Sequence, residues 1–390
     1  METIYKTIIT MPYSFTYLYR CICWNIPRIT DYQRFPHFPV HNGPNKTLLE
    51  YGPRYPLPPQ WHWKFRGAAV SGNPTTLLTH SGTTAFLILQ HGKIITEQYF
   101  NGYHADSINT SFSIAKSITS ALIGIAIQEG AIASIQDSIA VYLPEFDRQG
   151  YRDITIAHLL EMRSGLQYRE GVTPWSDDGL VYYGLDLRKS ALKAKLEYTP
   201  GTAYHYCNYN LLLLGLILER TTGMPAAQYL SERIWQPMGA EAPATWSTDS
   251  QQSGFAKMES GFNTTARAFA QFGQLYLQNG HMNGKQIIPA NWIQASVQPP
   301  AEKADTKRFM NRMSPPLCKW SAAPHGYYGY LWWGYQVDPH NFDYFALGVK
   351  GQFIYVCPRK QAVIVRLGKQ WGKIDWWPDL FKQIADTLEN

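Results

Sequence analysis

The sequence has few cysteines and no long uncharged run. Its five cysteines are dispersed and odd in number, namely Cys21, Cys23, Cys207, Cys318 and Cys357. They fit neither a disulfide framework nor a zinc site, and they favour a reducing compartment or thiols without a role. The uncharged span 7–19 is shorter than the roughly 20 residues of a membrane-spanning helix. No A-x-A-like cleavage site follows that span, so a secretory leader is not predicted either.

Charged residues are also sparse, at 16% of 390 residues, whereas hydrophobic residues reach 45%. This balance indicates a well-packed globular protein that is long enough for more than one domain. The net charge of +6 is modest, and Lys and Arg are scattered, so we expect no nucleic-acid partner. His37 and His41 are four residues apart, but the neighbouring Pro36 and Pro39 argue against a helical metal site. We therefore predict no metal and no cofactor.

Residues 1–64 are predicted to form an N-terminal arm. The first thirty residues are apolar and aromatic, which favours a docked arm, with a peripheral membrane contact as the alternative. Residues 36–60 contain seven prolines, which are typical of an extended segment. The compartment stays open between cytoplasm and periplasm, with membrane association as a further option.

Beyond the arm, strands near both ends and helices between them predict an α+β fold. We expect a hairpin over 85–99 that turns at His91–Gly92, and later strands at 328–337, 351–356 and 362–367. Helices are expected at 109–130, 154–162, 210–222, 225–234, 264–278, 289–297 and 379–388. The simplest arrangement is one antiparallel sheet that is built from both chain ends, flanked by helices, and interrupted by an inserted, mainly helical domain.

The domain boundaries follow from that arrangement. We place the sheet domain at 65–155 plus 265–390, and the helical domain at 156–264. Within the helical domain, 164–198 is predicted to be an aromatic loop.

The stretch 109–130 carries the first candidate for chemistry. Apolar residues recur at helical spacing and Gly130 closes the run, so we predict a buried helix with hydroxyl residues as its cap. Ser113 and Lys116 are three residues apart on its first turn, which places both side chains on one face. Burial lowers the pKa of a lysine, and a neutral amine can take the proton that makes serine a poor nucleophile.

Ser190 and Lys193 repeat the Ser-x-x-Lys spacing. They lie among Arg188, Lys189 and Lys195, so this second lysine is expected to be solvated and charged. We interpret this copy as a chance match.

Two later stretches add polar groups that suit the same cleft. Tyr206 and Asn208 precede an apolar helix, and a phenol near an ammonium can exchange protons with a nucleophile or leaving group. Gly351 opens a strand, where glycine permits close approach of a substrate and a strand N–H can bind an oxyanion.

These three stretches together resemble a known set of motifs. Ser113-x-x-Lys116, Tyr206-x-Asn208 and Val349-Lys350-Gly351 occur in the order found in the serine β-lactamase and penicillin-binding-protein superfamily. The Tyr-x-Asn form is similar to the class C branch, which also contains esterases, D-aminopeptidases and 6-aminohexanoate-dimer hydrolases. The resemblance covers roughly residues 65–390.

The resemblance implies a role for each motif residue. Ser113 would be the acylated nucleophile, Lys116 its base or proton relay, and Tyr206 the second acid/base. Asn208 would hydrogen-bond the substrate. The backbone N–H groups of Ser113 and Gln352 would form the oxyanion hole.

The third motif departs from the Lys-Thr-Gly of β-lactamases. Valine replaces the cation that would bind a β-lactam carboxylate, and Lys350 lies one position later. Since strand residues alternate between faces, we expect the charge of Lys350 to point elsewhere, although Lys350 and Gly351 stay among the substrate-binding candidates. The aromatic loop, with Tyr168, Trp175 and Asp178, is expected to shape the acyl pocket.

The predicted function is therefore a serine hydrolase that acts through an acyl-enzyme on small esters or linear amides. A β-lactamase or D-Ala carboxypeptidase is the alternative, and a non-catalytic binding module that retains the fold is a second one. An α/β-hydrolase is not supported, because no Gly-x-Ser-x-Gly elbow occurs in the sequence.

Overall fold

The computed structural model describes residues 14–171, 173–302, 305, 320 and 323–389. Its strands are β1 His37–Val40, β2 Trp61–Phe65, β3 Ala68–Gly72, β4 Thr83–Gln90, β5 Lys93–Tyr99, β6 Asn109–Thr110, β7 Ala244–Ser247, β8 Phe262–Thr264, β9 His281–Met282, β10 Lys285–Gln286, β11 Gly326–Tyr328, β12 Trp333–Gln336, β13 Phe342–Gly348, β14 Gln352–Cys357 and β15 Ala362–Gly368. Its α-helices are α1 Phe15–Tyr19, α2 Pro74–His80, α3 Ile114–Gln128, α4 Ile156–Leu160, α5 Asp177–Tyr183, α6 Leu187–Leu192, α7 Tyr209–Thr222, α8 Ala226–Leu230, α9 Ala266–Leu277, α10 Ala290–Val297 and α11 Trp377–Asp386.

Within these described residues, seven strands from both parts of the chain form one antiparallel sheet. Its order is β11-β12-β13-β14-β15-β4-β5, so the early hairpin β4–β5 pairs with the last strand. Helices cover both faces: Gly273 of α9 faces Ile354, whereas Phe381 of α11 packs on the adjacent Phe353. Consecutive strand residues point to opposite faces and both faces are covered, which is why β14 is buried along its whole length. The predicted α+β fold is confirmed.

Helix α3 lies in the interior, as its apolar spacing predicts. Every residue from Ile114 to Ala126 is buried, and the helix contacts α7, α10 and strand β13. Gly124 permits the contact with α10, because a Cβ there would lie 2.3 Å from Cγ of Trp292. A rigid, buried helix thus carries Ser113 and Lys116 into the middle of the fold.

A second sheet, β1-β7-β8-β6, departs from the single predicted sheet. Strand β1 lies inside the proline-rich segment 36–60, for which an extended arm without a regular element was expected, and it pairs with β7 through register pairs such as His37 with Ser247. Pro39 is tolerated there because β1 is an edge strand. The domain boundaries stay predictions, but β7 and β8 both lie inside the segment assigned to a helical domain.

Other local predictions were wrong. Helices α5 and α6 occupy the segment 164–198 that was predicted to be a loop, and each begins at a side-chain cap, Ser176 or Asp186. The single strand predicted at 328–337 is two strands, β11 and β12, separated by a turn. Strand β13 was not predicted, although it leads directly into the turn at Val349 and Lys350, which lines the site described below.

The described part of the N-terminal arm, from residue 14 onward, is docked on the body of the protein. Tyr17 is buried against Phe35 and Tyr183, whereas Phe15 and Ile22 are 85% and 69% exposed. The predicted peripheral membrane contact stays a prediction. None of the described helices is long and apolar enough to span a bilayer.

Candidate active site

Ser113 and Lys116 lie at the start of α3 with their functional atoms in contact. Phe112 adopts a left-handed backbone conformation (φ +47°), which turns the chain from β6 into the helix. Ser113 occupies the N-cap position, yet its hydroxyl caps no helix N–H, contrary to the capping role predicted for the hydroxyl residues of this stretch. Lys116 Nζ lies 2.8 Å from Ser113 Oγ and donates a 2.9 Å hydrogen bond to the carbonyl oxygen of Glu259. The bond to Glu259 thus holds the amine in place while its nitrogen contacts the serine oxygen.

The surroundings of Lys116 favour its neutral form. The side chain is 2% exposed, and burial lowers its pKa to about 7. The carboxylates of Glu259 and Asp178 act in the opposite direction, since negative charge favours the ammonium. Burial has the larger effect, so a large fraction of the amine is unprotonated near neutral pH, as a base requires.

Tyr206 lies beside the same amine. Lys116 Nζ is 5.0 Å from the centroid of its ring. The ring packs against Trp333 at 5.8 Å and against the edge of Tyr328 at 6.3 Å, which fixes its orientation. The structure therefore brings together the three predicted catalytic residues.

Asn208 belongs to a hydrogen-bonded group with Tyr168 and Asp178. Its Nδ2 donates to the Tyr168 hydroxyl at 2.7 Å, and that hydroxyl donates to Asp178 Oδ1 at 2.6 Å. Asn208 Oδ1 is buried and accepts no hydrogen bond within the described part of the chain. Tyr168 is buried and positions Asp178 and Asn208, so it is a support for the pocket wall, whereas Asp178 and Asn208 line the cavity.

The third motif forms a turn between β13 and β14. Lys350 has φ +65° and Gly351 has φ +80°, so strand alternation does not apply to them. Lys350 is half-buried and lines the cavity, contrary to the prediction that its charge points elsewhere. Burial lowers the pKa of this lysine, and the Asp31 carboxylate opposes that shift. Gly351 leaves room for Arg366 to approach the turn closely, because a Cβ at this position would lie 2.1 Å from Nη1 of Arg366.

Gln352 lies outside the cavity lining. It pairs with Gly348 in the β13–β14 ladder, and its side chain donates to the carbonyl oxygens of Val349 and Gly368 at 3.1 and 2.7 Å. Gly348, in contrast, abuts the segment before the nucleophile, since a Cβ there would lie 2.3 Å from the Ser111 carbonyl oxygen. The motif residue that reaches the cavity beside Ser113 is therefore Val349 rather than Gln352.

Some of these groups line a cavity of about 420 Å³. Its lining includes the predicted Ser113, Lys116, Asn208, Asp178 and Lys350. Trp175 is 70% exposed and is not part of the lining. Several lining residues were missed by sequence reasoning, namely Cys21, Asn25, Ile26, Pro27, Glu259 and Ser260. They belong to distant parts of the chain without a motif, so no local signal marks them.

The second Ser-x-x-Lys copy has none of these surroundings. Ser190 lies on the six-residue helix α6, and its hydroxyl donates to the carbonyl oxygen of Asp186. Lys193 is exposed, as its charged neighbours predict. The copy is therefore a useful control for the first one.

The comparisons with known proteins agree with the geometry. A 6-aminohexanoate-dimer hydrolase from Paenarthrobacter ureafaciens is 26% identical over 317 residues, covering 77% of this chain and 74% of that protein. A Bacillus anthracis protein described as a candidate 6-aminohexanoate-dimer hydrolase superposes with a TM-score of 0.77 at 23% identity, over 93% of this chain and 94% of that one. EstCE1, a hydrolase with promiscuous acyltransferase activity, has a TM-score of 0.60 at 16% identity, over 78% and 92% of the two chains.

The family match covers the whole site apart from the arm. Residues 77–389 match the Beta-lactamase family, and this range contains the nucleophile, the buried amine, the phenol and the third-motif turn. Together with the superposable fold, that match leads to one conclusion: this chain belongs to the Beta-lactamase family.

Proposed function

We propose that the protein is a serine hydrolase that cleaves small esters or linear amides through an acyl-enzyme on Ser113. The single observation that carries the proposal is the buried Lys116 amine, 2.8 Å from the serine oxygen and with a pKa lowered to about 7. A neutral amine at that distance acts as the base that a serine nucleophile needs. The relative that is named as a 6-aminohexanoate-dimer hydrolase supports the same reaction class.

The proposed reaction has two halves. Lys116 Nζ takes the proton of Ser113 Oγ as that oxygen attacks the substrate carbonyl carbon. The tetrahedral intermediate collapses, the bond to the leaving group breaks, and the leaving nitrogen or oxygen receives a proton through Lys116 and Tyr206. Water then attacks the acyl-enzyme, loses its proton to the same groups, and releases the acid while Ser113 regains its proton.

We assign the oxyanion hole to the backbone N–H groups of Ser113 and Val349. Neither donates a hydrogen bond within the described residues, and both residues line the cavity. Preorganised donors of this kind stabilise the negative charge that develops on the substrate carbonyl oxygen. Asn208 lines the same cavity, and we assign to its amide group a hydrogen bond with the substrate.

The preference for linear amides and esters over β-lactams rests on the third motif and the relatives. Residues 349–351 lack the Lys-Thr-Gly of β-lactamases, and a curated relative that matches 77% of this chain is a 6-aminohexanoate-dimer hydrolase. The competing assignment is a β-lactamase or D-Ala carboxypeptidase, in which Lys350 binds the substrate carboxylate. Faster turnover of nitrocefin than of p-nitrophenyl acetate would favour that assignment.

The nucleophile is tested with a fluorophosphonate probe. We expect labelling of the purified protein at Ser113, mapped by peptide mass spectrometry, because the probe reacts only with an activated serine. Labelling should disappear in Ser113→Ala and persist in Ser190→Ala, the matched variant of the second Ser-x-x-Lys copy. Absence of labelling in the wild type, with no turnover of esters or amides, would support the non-catalytic binding module instead.

The pH profile reports on Lys116. We expect kcat/KM for p-nitrophenyl acetate to rise with pH and to level off above an apparent pKa of about 7, because only the neutral amine is a base. Asp178→Asn should move this limb to lower pH, since the Asp178 carboxylate raises the Lys116 pKa. A profile that is flat between about pH 5 and 9 would contradict this assignment.

A further inference from the structure

The N-terminal arm supplies one wall of the active-site cavity. Cys21, Asn25, Ile26 and Pro27 line the cavity together with Ser113. All four precede residue 77, where the family match begins. The catalytic groups thus come from the family domain, whereas part of the substrate space comes from a segment outside it.

Hydrogen bonds fix the arm to the segment 173–184 and to Asp249. The Tyr183 hydroxyl donates to the carbonyl oxygen of Asn25 at 2.6 Å, and the Tyr17 hydroxyl donates to that of Pro174. Arg20 is buried and donates to the carbonyl oxygen of Asp249 at 2.7 Å. These bonds therefore hold the arm in a fixed position as part of the cavity wall.

A second set of bonds ties the arm to the approach of the nucleophile. The Thr110 N–H donates to the carbonyl oxygen of Ile29 at 2.9 Å, three residues before Ser113. The Tyr182 hydroxyl donates to Asp31 Oδ2 at 2.8 Å. The position of the arm is thus defined relative to the serine as well as to the opposite loop.

The arm contributes apolar surface at the rim of the cavity. Ile26 is 62% exposed and Val349, another lining residue, is 52% exposed. Both are large apolar side chains in a wall that also contains Pro27, Phe112 and Val181. Removing such apolar surface from water makes the binding of an apolar ligand more favourable.

We propose that residues 21–27 of the arm determine substrate specificity by binding an apolar acyl chain of the substrate, with Ile26 as the principal contact. This proposal rests on the proposed function, because the chain it binds belongs to the ester or amide that acylates Ser113. The expected substrates are esters and amides whose acyl group is an apolar chain rather than an acetyl group.

The test compares p-nitrophenyl hexanoate with p-nitrophenyl acetate. Ile26→Asp should lower the hexanoate-to-acetate ratio of kcat/KM by about tenfold, since a charged side chain opposes the apolar chain while acetate does not reach it. Ile26→Ala should lower the ratio in the same direction by a smaller factor. The matched control is Ile22→Asp, because Ile22 is 69% exposed on the same arm and lies outside the cavity lining.

Each outcome decides the proposal. An unchanged ratio in both Ile26 variants overturns it, and so does an equal fall in Ile22→Asp, since charge on the arm would then suffice. A fall confined to Ile26, with thermal unfolding unchanged, supports it. Failure of the serine-hydrolase assignment is recognised separately, by loss of fluorophosphonate labelling at Ser113 in the wild type.

Discussion

Replacing Lys116 by methionine is expected to lower kcat/KM for p-nitrophenyl acetate by about 10³-fold, the range of a lost general base. Methionine has a similar length and is apolar, so it occupies the buried site without an unpaired charge. The serine then lacks the amine 2.8 Å away that would take its proton. Steady-state kinetics at constant pH measure the effect.

Two controls define that result. Lys193→Met alters the lysine of the second Ser-x-x-Lys copy, which is exposed, and should leave kcat/KM unchanged. The double variant Ser113→Ala/Lys116→Met should be no slower than the slower single variant, because residues that act as a unit are not additive. A loss below about tenfold in Lys116→Met would refute the role of base.

Replacing Arg366 by methionine is expected to reduce the free energy of unfolding by about 3 kcal/mol or more. Arg366 is fully buried, and burial lowers its pKa to about 9. Its guanidinium lies 4.1 Å from the centroid of the Trp377 ring. It donates to backbone carbonyl oxygens of four residues, namely Ser81, Lys350, Gly351 and Gln370. Methionine leaves these carbonyl groups buried without donors, and each such group costs about 1–3 kcal/mol.

Urea denaturation measures this change, and the surface residue Arg152 provides the comparison. Its ion pair with Asp147 is more than half exposed, so Arg152→Met should alter stability by no more than about 1 kcal/mol. Since Arg366 holds the turn at Lys350 and Gly351, the Arg366 variant should also lose activity under conditions where it remains folded. Equal changes in the free energy of unfolding for the two substitutions would contradict the stabilising role of Arg366.

The parts of the fold that local pattern determines could be predicted from the sequence. Helix α3 and the hairpin β4–β5 follow from residues that are neighbours in the chain, such as Ile114 and Ile118 on one helix face. The pair Ser113 and Lys116 was predicted for the same reason, since three residues of helix fix their separation. Tyr206 required the motif order in addition, because it is distant in sequence.

The remaining features depend on backbone geometry and long-range packing that residue patterns do not encode. Strand alternation misplaced Lys350, since the left-handed conformation of Lys350 and Gly351 converts the third motif into a turn. Gln352 was assigned an oxyanion role, but its ladder position directs it into the sheet. The arm reaches the cavity through contacts such as Tyr17 with Pro174, which are 157 residues apart. No window of sequence contains both partners.

The way in which the arm is fastened bears on how such enzymes diversify. Two of its bonds accept on arm main-chain oxygens, those of Asn25 and Ile29, which every residue type offers. The arm side chains that make the other bonds, Tyr17, Arg20 and Asp31, are not part of the cavity lining. Side chains on the arm that face the cavity are therefore free to drift without detaching it. Substitutions in this short segment of the arm can therefore change substrate specificity during evolution without altering the catalytic residues. Exchange of residues 14–27 between homologues offers the same route in protein engineering.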